Sequence, residues 1–134
     1  MRRVFVDTGG FYAALNRKDA SHLIARRLFN RARRERWFLF TANFVVAETH
    51  ALILTRVGRE SAEQFLRSVY AGRTNIIRAE EGDEQRARSI IELYADKDFS
   101  YCDAISFAVM ERLDITEVIA FDEHFRQYGT FTTL

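Results

Sequence analysis

The chain has 134 residues, which suits one domain and leaves little room for a second. With 48% hydrophobic and 29% charged residues, it has the composition of a folded globular domain and not of a disordered segment. Its apolar runs, such as Trp37 to Phe40, are far too short to span a bilayer, and its one cysteine cannot form an internal disulfide. We therefore expect a single domain over residues 1–134 that works in the cytoplasm without a membrane partner.

Charge is unevenly distributed along the chain although the net charge is only +1. Residues 1–36 carry ten Arg or Lys and three acids, a net charge of +7, whereas residues 80–124 carry four basic residues and thirteen acids, a net charge of −9. A basic face beside an acidic pocket suits a polyanionic substrate that must approach a metal centre. Two solvated helix faces of opposite charge explain the same pattern equally well.

Hydrophobic periodicity and turn residues predict alternating strands and helices along the whole chain. In the first half, the predicted elements are a strand at 4–6, a turn at 7–10, a helix at 11–16, an arginine-rich amphipathic helix at 21–36, a strand at 37–41, a helix at 43–57 capped by Asn43 and a helix at 61–71 capped by Ser61. In the second half, they are a strand at 75–77, helices at 83–94 and 101–113, a strand at 117–121, a short helix from 123 and a weak strand near Phe131.

Strands separated by helices predict an α/β fold with a central parallel sheet of four to five strands, flanked by helices on both faces. In such sheets, ligands bind beyond the carboxyl ends of the strands. Asp7 and Asp122 each follow a predicted strand, Glu48 lies in the helix after the second strand, and Asp103 lies at the start of an apolar helix. These four acids are the candidate site.

Each of these acids also has a purely structural explanation. Asp7 could begin a turn, and a lone Glu48 on a helix is usually exposed to solvent. Asp103 fits a capping box with Ser100, and Asp122 could cap the terminal helix. If the four converge, however, like charges about 4 Å apart repel by roughly 4 kcal/mol at an effective dielectric of about 20. A divalent cation held by oxygen ligands would offset that repulsion.

Four segments, taken in order, resemble the PIN-domain nucleases and, within them, the single-domain toxins of the VapC type. They are Val4-Phe5-Val6-Asp7-Thr8, Glu48 in its helix, Phe99-Ser100-Tyr101-Cys102-Asp103-Ala104-Ile105-Ser106-Phe107-Ala108, and Ile119-Ala120-Phe121-Asp122-Glu123-His124-Phe125. The resemblance covers essentially the whole chain and is most specific in the last two segments. The chain departs from the pattern at Gly9, where relatives often carry Ser or another polar residue, and at Ala120, where they often carry Thr.

The resemblance implies a metal-dependent endoribonuclease that hydrolyses RNA phosphodiester bonds as the toxin of a toxin–antitoxin pair. It implies Mg²⁺ or Mn²⁺ bound through Asp7 and Asp103, with Glu48 and Asp122 completing the catalytic pocket. It further implies a small antitoxin that covers the site, a homodimer formed through the N-terminal and middle helices, and products with a 5′-phosphate and a 3′-hydroxyl.

Other functions stay open at this point. They are an RNA-processing nuclease of the same fold without a toxin role, and a binding module for nucleic acid or protein with a vestigial pocket. Phosphotransfer through an aspartyl nucleophile at Asp7 is disfavoured, because Gly9 stands where a second acid would be expected. The sequence alone does not identify the RNA target.

The histidines and the cysteine are not predicted to carry the reaction. His22, His50 and His124 lack the spacing of a zinc site, so we expect surface or packing residues. Cys102 precedes Asp103, but no partner base for a nucleophilic thiol is evident in the sequence.

Overall fold

The computed structural model describes all 134 residues, and its twelve helices and strands alternate much as the periodicity predicts. The strands are β1 (Arg3–Val6), β2 (Phe38–Ala42), β3 (Asn75–Ile77), β4 (Glu117–Ile119) and β5 (Thr132–Thr133). The helices are α1 (Thr8–Leu15), α2 (His22–Arg34), α3 (Asn43–Arg56), α4 (Arg59–Ala71), α5 (Glu81–Leu93), α6 (Tyr101–Leu113) and α7 (His124–Tyr128). None of the helices is long and apolar enough to cross a membrane.

All five strands are parallel and form one sheet in the order β3-β2-β1-β4-β5. The chain moves outward from β1 to β3 and then crosses back to β4 on the other side of β1. Because crossovers between parallel strands are right-handed, the helices of these two parts cover opposite faces of the sheet. The predicted α/β fold is confirmed. The carboxyl ends of β1 and β4 meet at the topological switch point, where such sheets bind ligands.

Helix α1 begins directly after β1, so the turn predicted at 7–10 is wrong. Asp7 is still extended, with φ −89° and ψ 168°, and the helix begins at Thr8. A Cβ on Gly10 would lie 2.7 Å from the carbonyl oxygen of Ile119, so glycine allows α1 to pack closely on the end of β4. The glycine that suggested a turn therefore permits a close contact between a helix and a strand.

Two predicted helix caps are also wrong. Asn43 is the first residue of α3, and its side-chain oxygen accepts a hydrogen bond of 2.9 Å from the backbone N–H of Ala79. Helix α4 begins at Arg59, before Ser61, and follows Gly58 at φ 144°. The side chain of Asn43 thus joins the start of α3 to the segment after β3, a long-range contact that local sequence patterns do not reveal.

The predicted helix at 101–113 is confirmed as α6. Ser100 Oγ accepts a hydrogen bond from the backbone N–H of Asp103, and Asp103 Oδ2 accepts one from the backbone N–H of Ser100, both at 3.0 Å. Every residue from Cys102 to Met110 is buried, so α6 forms a large part of the core. The reciprocal cap fixes the first turn of this helix, where Asp103 lies.

An aromatic cluster anchors the last part of the chain to α6. Phe107 stacks on Tyr128 with ring centroids 4.4 Å apart and meets Phe125 edge-on at 5.0 Å. Phe107 and Phe125 are completely buried. Since Phe125 and Tyr128 belong to α7, this packing holds the loop between β4 and α7, which contains Asp122, against the core.

Candidate metal centre

Asp7 is a buried carboxylate at the carboxyl end of β1. The residue is 3% exposed, and its backbone N–H donates a hydrogen bond of 3.1 Å to the carbonyl oxygen of Ile119. Burial raises the pKa of Asp7 well above its usual value, and the charges of Asp122, Asp103 and Glu48 raise it further. The ionised form of Asp7 is therefore unfavourable in this position unless a cation lies nearby.

Asp103 is the second buried acid, and its exposed fraction is 6%. Burial raises its pKa, while hydrogen bonding to Ser100 and the charge of His124 act in the opposite direction. Asp103 can therefore cap α6 and line the acidic pocket at the same time. Its Oδ2 accepts a hydrogen bond from the backbone N–H of Ser100 while the side chain remains among the other acids.

Glu48 and Asp122 are exposed acids next to the buried pair. Both raise the pKa of Asp7 through their charge, and Glu48 also raises the pKa of the Cys102 thiol, although burial has the larger effect there. Helix α3 contacts α6, which explains how Glu48 reaches the first turn of α6. The four predicted acids therefore lie at the same edge of the sheet, two buried and two exposed.

His124 joins these acids, although the sequence predicted a surface or packing residue. Its ring does pack edge-on against Phe99 at 5.7 Å, but its Nδ1 lies 2.6 Å from Asp103 Oδ2 and 3.9 Å from Asp122 Oδ1. One ligand atom from each of Asp103, Asp122 and His124 lies within 4.8 Å of the others. His124 has no second histidine at the spacing of a metal site, and the fold alone brings it to Asp103, so the sequence pattern does not reveal this contact.

The Cys102 thiol is buried beside the same acids. Burial raises its pKa, and the charges of Glu48 and Asp7 raise it further, so the sulfur stays protonated at neutral pH. A protonated thiol is a poor nucleophile. This agrees with the expectation that Cys102 does not carry the reaction.

The residues present fit a divalent cation. Carboxylate oxygens are the ligands that Mg²⁺ and Mn²⁺ prefer, and the pKa values of Asp7 and Asp103 are raised chiefly by burial and further by the neighbouring acids. Thr8 Oγ1 and His124 Nδ1 are buried polar atoms without a hydrogen-bond partner, and both belong to residues that contact or adjoin the acids. Buried polar atoms normally have hydrogen-bond partners. A hydrated ion held by the acids could supply the missing ones.

The arginine-rich end of α2 lies away from this site. Helix α2 ends at Arg34, shortly before β2, whose first residue Phe38 pairs with Arg3 at the start of β1. That is the amino edge of the sheet, whereas the acids lie at the carboxyl edge. Arg31 forms an ion pair of 2.8 Å with Glu35. Of the two explanations of the charge pattern, a basic face beside the acidic pocket therefore does not apply to the last turn of α2.

Known proteins match nearly the whole chain. The PIN domain family model matches residues 4–130. The VapC ribonuclease of Archaeoglobus fulgidus is 32% identical over 123 residues, which cover 90% of this chain and 77% of that protein. The 23S rRNA-specific endonuclease VapC20 of Mycobacterium tuberculosis is 32% identical over 130 residues, 94% of each protein.

Solved structures agree with these matches. The crystal structure of Mycobacterium tuberculosis VapC20, described as a Sarcin-Ricin loop cleaving toxin, superposes with a TM-score of 0.90 at 29% identity and covers 98% of both chains. A toxin–antitoxin complex from Klebsiella pneumoniae superposes with a TM-score of 0.70 at 16% identity, covering 97% of this chain and 96% of the other. At that identity the second match concerns the fold alone.

Proposed function

The chain belongs to the PIN-domain family and is a VapC-type endoribonuclease toxin, and from this premise we propose that its acidic edge holds Mg²⁺ or Mn²⁺ for the hydrolysis of RNA phosphodiester bonds. One observation carries the proposal. The two buried acids, Asp7 and Asp103, meet the exposed acids Glu48 and Asp122 at the switch point of the sheet, and the charges of the other three raise the pKa of Asp7.

Asp7 and Asp103 are the proposed principal ligands of the ion, and Glu48 and Asp122 complete the catalytic pocket. A divalent ion bound there would neutralise charge on the phosphoryl group and lower the pKa of a bound water. The protein contributes rigid positions. Asp7 is fixed by the end of β1, and Asp103 is fixed by its reciprocal cap with Ser100. Rigid positions reduce the reorganisation needed during the reaction.

The exposed acids are suited to proton transfer. In hydrolysis, a water oxygen forms a bond to phosphorus, the bond from phosphorus to the 3′ oxygen breaks, and that oxygen leaves as a hydroxyl. Glu48 or Asp122 accepts a proton from the attacking water and, being exposed, exchanges it with solvent, which supplies the proton that the leaving 3′ oxygen takes up. The products are then a 5′-phosphate and a 3′-hydroxyl, as the family resemblance implies.

A cleavage assay tests this function. The purified chain is incubated with a labelled RNA, and with a DNA of the same sequence, in Mg²⁺, in Mn²⁺ and in EDTA. We expect internal cuts in the RNA only with a metal ion present, and 5′-phosphate ends on the products. Cleavage that continues undiminished in EDTA would contradict the proposed chemistry.

We propose ribosomal RNA as the substrate, and the cytoplasm as the place of action. The support is the 32% identity, over 94% of both chains, to a protein named as a 23S rRNA-specific endonuclease. Primer extension on 23S rRNA from treated ribosomes should show one strong stop that is absent after treatment with the Asp7→Asn variant. Cleavage of other RNAs without a stop in 23S rRNA would exclude this target while leaving the ribonuclease activity in place.

An antitoxin is the proposed protein partner, and exposed apolar side chains on α1, on α2 and directly after α3 support it. Leu15, Leu23 and Val57 are 50%, 68% and 47% exposed and line a cavity of about 530 Å³. Contiguous exposed apolar surface often marks a protein interface. We propose that an apolar segment of the antitoxin fills this cavity.

Co-expression tests the antitoxin surface. The chain is produced together with the product of the neighbouring short reading frame, and co-purification and inhibition of RNA cleavage are measured. We expect Leu23→Glu to lose the complex, whereas Leu93→Glu, a control at a site 72% exposed on α5, keeps it. Equal complex formation by both variants would exclude the cavity as the contact.

A homodimer is the second proposed assembly, on the basis of the family resemblance. Light scattering coupled to size-exclusion chromatography should give twice the mass of 15.7 kDa for the purified chain. A monomer over the whole micromolar range would contradict it.

A further inference from the structure

We infer that His124 is a direct ligand of the divalent ion, together with Asp103 and Asp122, and that its nitrogen makes the site prefer Mn²⁺ to Mg²⁺. This inference rests on the proposed metal-dependent function and adds to it a ligand that the acidic pattern of the sequence does not contain. It concerns metal choice, which the family resemblance leaves as Mg²⁺ or Mn²⁺.

The distances fit a shared ion. Adjacent ligand atoms around an octahedral ion at about 2.1 Å lie about 3 Å apart, and opposite ones lie about 4.2 Å apart. His124 Nδ1 lies 3.9 Å from Asp122 Oδ1, within this range, and 2.6 Å from Asp103 Oδ2. Opening the shorter contact by a few tenths of an ångström would allow all three atoms to contact one ion.

The environment holds the imidazole with Nδ1 towards the acids. The backbone N–H of His124 donates a hydrogen bond of 3.0 Å to Asp122 Oδ1, which fixes the loop at the start of α7. The ring meets Phe99 edge-on at 5.7 Å, and the next residue, Phe125, is completely buried in the aromatic cluster. A side chain fixed in this way binds an ion with little loss of conformational freedom.

The position of the Nδ1 atom suits a metal ligand. Nδ1 is buried and lies 2.6 Å from Asp103 Oδ2, but it makes no hydrogen bond of ordinary geometry. Thr8, which follows Asp7 in the chain and is 7% exposed, likewise has a buried Oγ1 without a hydrogen-bond partner. Unpartnered buried polar atoms are uncommon in native proteins, and a bound ion with its waters would give Nδ1 a partner.

The chemistry of the donor set decides the metal. Mg²⁺ strongly prefers oxygen ligands and near-ideal octahedral geometry, while imidazole nitrogen is accepted more readily along the series from Mn²⁺ to Zn²⁺. A site in which an imidazole joins the carboxylates should therefore bind Mn²⁺ more tightly than Mg²⁺. An oxygen-only site made by removing the imidazole should lose most of that difference.

Electron paramagnetic resonance of bound Mn²⁺ tests the inference without relying on activity. The full chain is titrated with Mn²⁺, and pulsed spectra are recorded for ¹⁴N coupling in the wild type, in His124→Asn and in the control His50→Asn. His50 lies on α3 two residues after Glu48 and thus points to another side of that helix. We expect ¹⁴N coupling in the wild type and in His50→Asn only, and Mn²⁺ affinity at least about tenfold lower in His124→Asn.

The outcomes separate the inference from the function on which it rests. Mn²⁺ binding without ¹⁴N coupling, or tighter binding in His124→Asn, would overturn the inference and make His124 a competitor of the metal for Asp103, with the proposed ribonuclease mechanism intact. Failure of the wild type to bind either ion while it still cleaves RNA would instead overturn the proposed metal dependence. A thermal melt of each variant without metal verifies that it is folded.

Discussion

Asp7 is the residue at which the demands of the site and of folding conflict. Its carboxylate is 3% exposed, and both burial and three neighbouring acids raise its pKa. Between the pKa of the unfolded chain and the higher pKa of the folded protein, folding requires the uptake of a proton. The free energy of unfolding therefore falls as pH rises through this window, and at neutral pH the charged site destabilises the metal-free protein.

Replacing Asp7 by Asn should thus stabilise the metal-free chain. We expect the melting temperature at pH 7 to rise by at least about 3 °C, which corresponds to about 1 kcal/mol in a chain of this size. Near pH 3, where Asp7 is protonated in both states, the gain should vanish. Differential scanning calorimetry at both pH values measures the effect. The control is Asp96→Asn, whose side chain is 77% exposed and which should change little.

Bound metal should reverse the order of the melting temperatures of the wild type and Asp7→Asn. Because an ion that binds only the folded state stabilises it, saturating Mn²⁺ should raise the melting temperature of the wild type and leave Asp7→Asn nearly unchanged. An Asp7→Asn variant that melts below the metal-free wild type at pH 7 would show that the carboxylate is stabilising, contrary to its raised pKa.

At the scale of secondary structure, α1 contains two adjacent glycines, and its packing depends on only one of them. A Cβ at Gly9 would have its nearest neighbour, the backbone N of Phe121, at an ordinary distance of 3.7 Å. A Cβ at Gly10 would lie 2.7 Å from the carbonyl oxygen of Ile119, which is backbone and cannot move aside easily. Only Gly10 is therefore required for α1 to pack on β4.

The two glycines form a matched pair for a stability test. Gly9→Ala should be neutral or stabilise the chain by up to about 1 kcal/mol, because alanine lowers the entropy of the unfolded state and favours helix. Gly10→Ala should destabilise it by about 1–3 kcal/mol through overpacking. Urea unfolding of both variants checks the difference. A Gly10→Ala variant as stable as the wild type would mean that α1 and β4 are not in such close contact.

The elements also show which parts of the site the sequence could predict. The order of strands and helices follows from local patterns, and the capping box of Ser100 and Asp103 predicted the start of α6. His124 was missed because its approach to Asp103 depends on the crossover from β3 to β4 and on the aromatic packing of α7. The contact between Asn43 and Ala79 was missed for the same reason, since it joins the beginning of α3 to the segment after β3.

For the molecule as a whole, the sheet separates two regions of opposite charge. The acids lie at the carboxyl edge, while the last turn of α2 lies at the amino edge. The arginines of that turn interact favourably with the negative end of the helix dipole. Arg78 differs from them, because it is exposed and directly follows β3 at the carboxyl edge. An RNA bound at the acids should therefore contact Arg78 before it contacts Arg33 or Arg34.

Salt dependence of RNA binding tests this arrangement. With a short single-stranded RNA, each lost phosphate contact should reduce the slope of log K against log salt by about 0.7. We expect that reduction for Arg78→Ala and almost none for the double variant Arg33→Ala/Arg34→Ala. A reduction of about 1.4 in the double variant would indicate that the RNA path runs over the amino edge.

The central claim is that the buried and exposed acids at the carboxyl edge form the metal-dependent ribonuclease site, and the cleavage rate of Asp103→Asn tests it most directly. The amide oxygen of Asn can still accept the N–H of Ser100, so the cap of α6 should survive the change. In single-turnover assays with Mn²⁺, we predict a fall in the rate of at least about 100-fold relative to both the wild type and the exposed control Asp96→Asn. A folded Asp103→Asn protein that cleaves RNA within threefold of the wild-type rate would contradict the account.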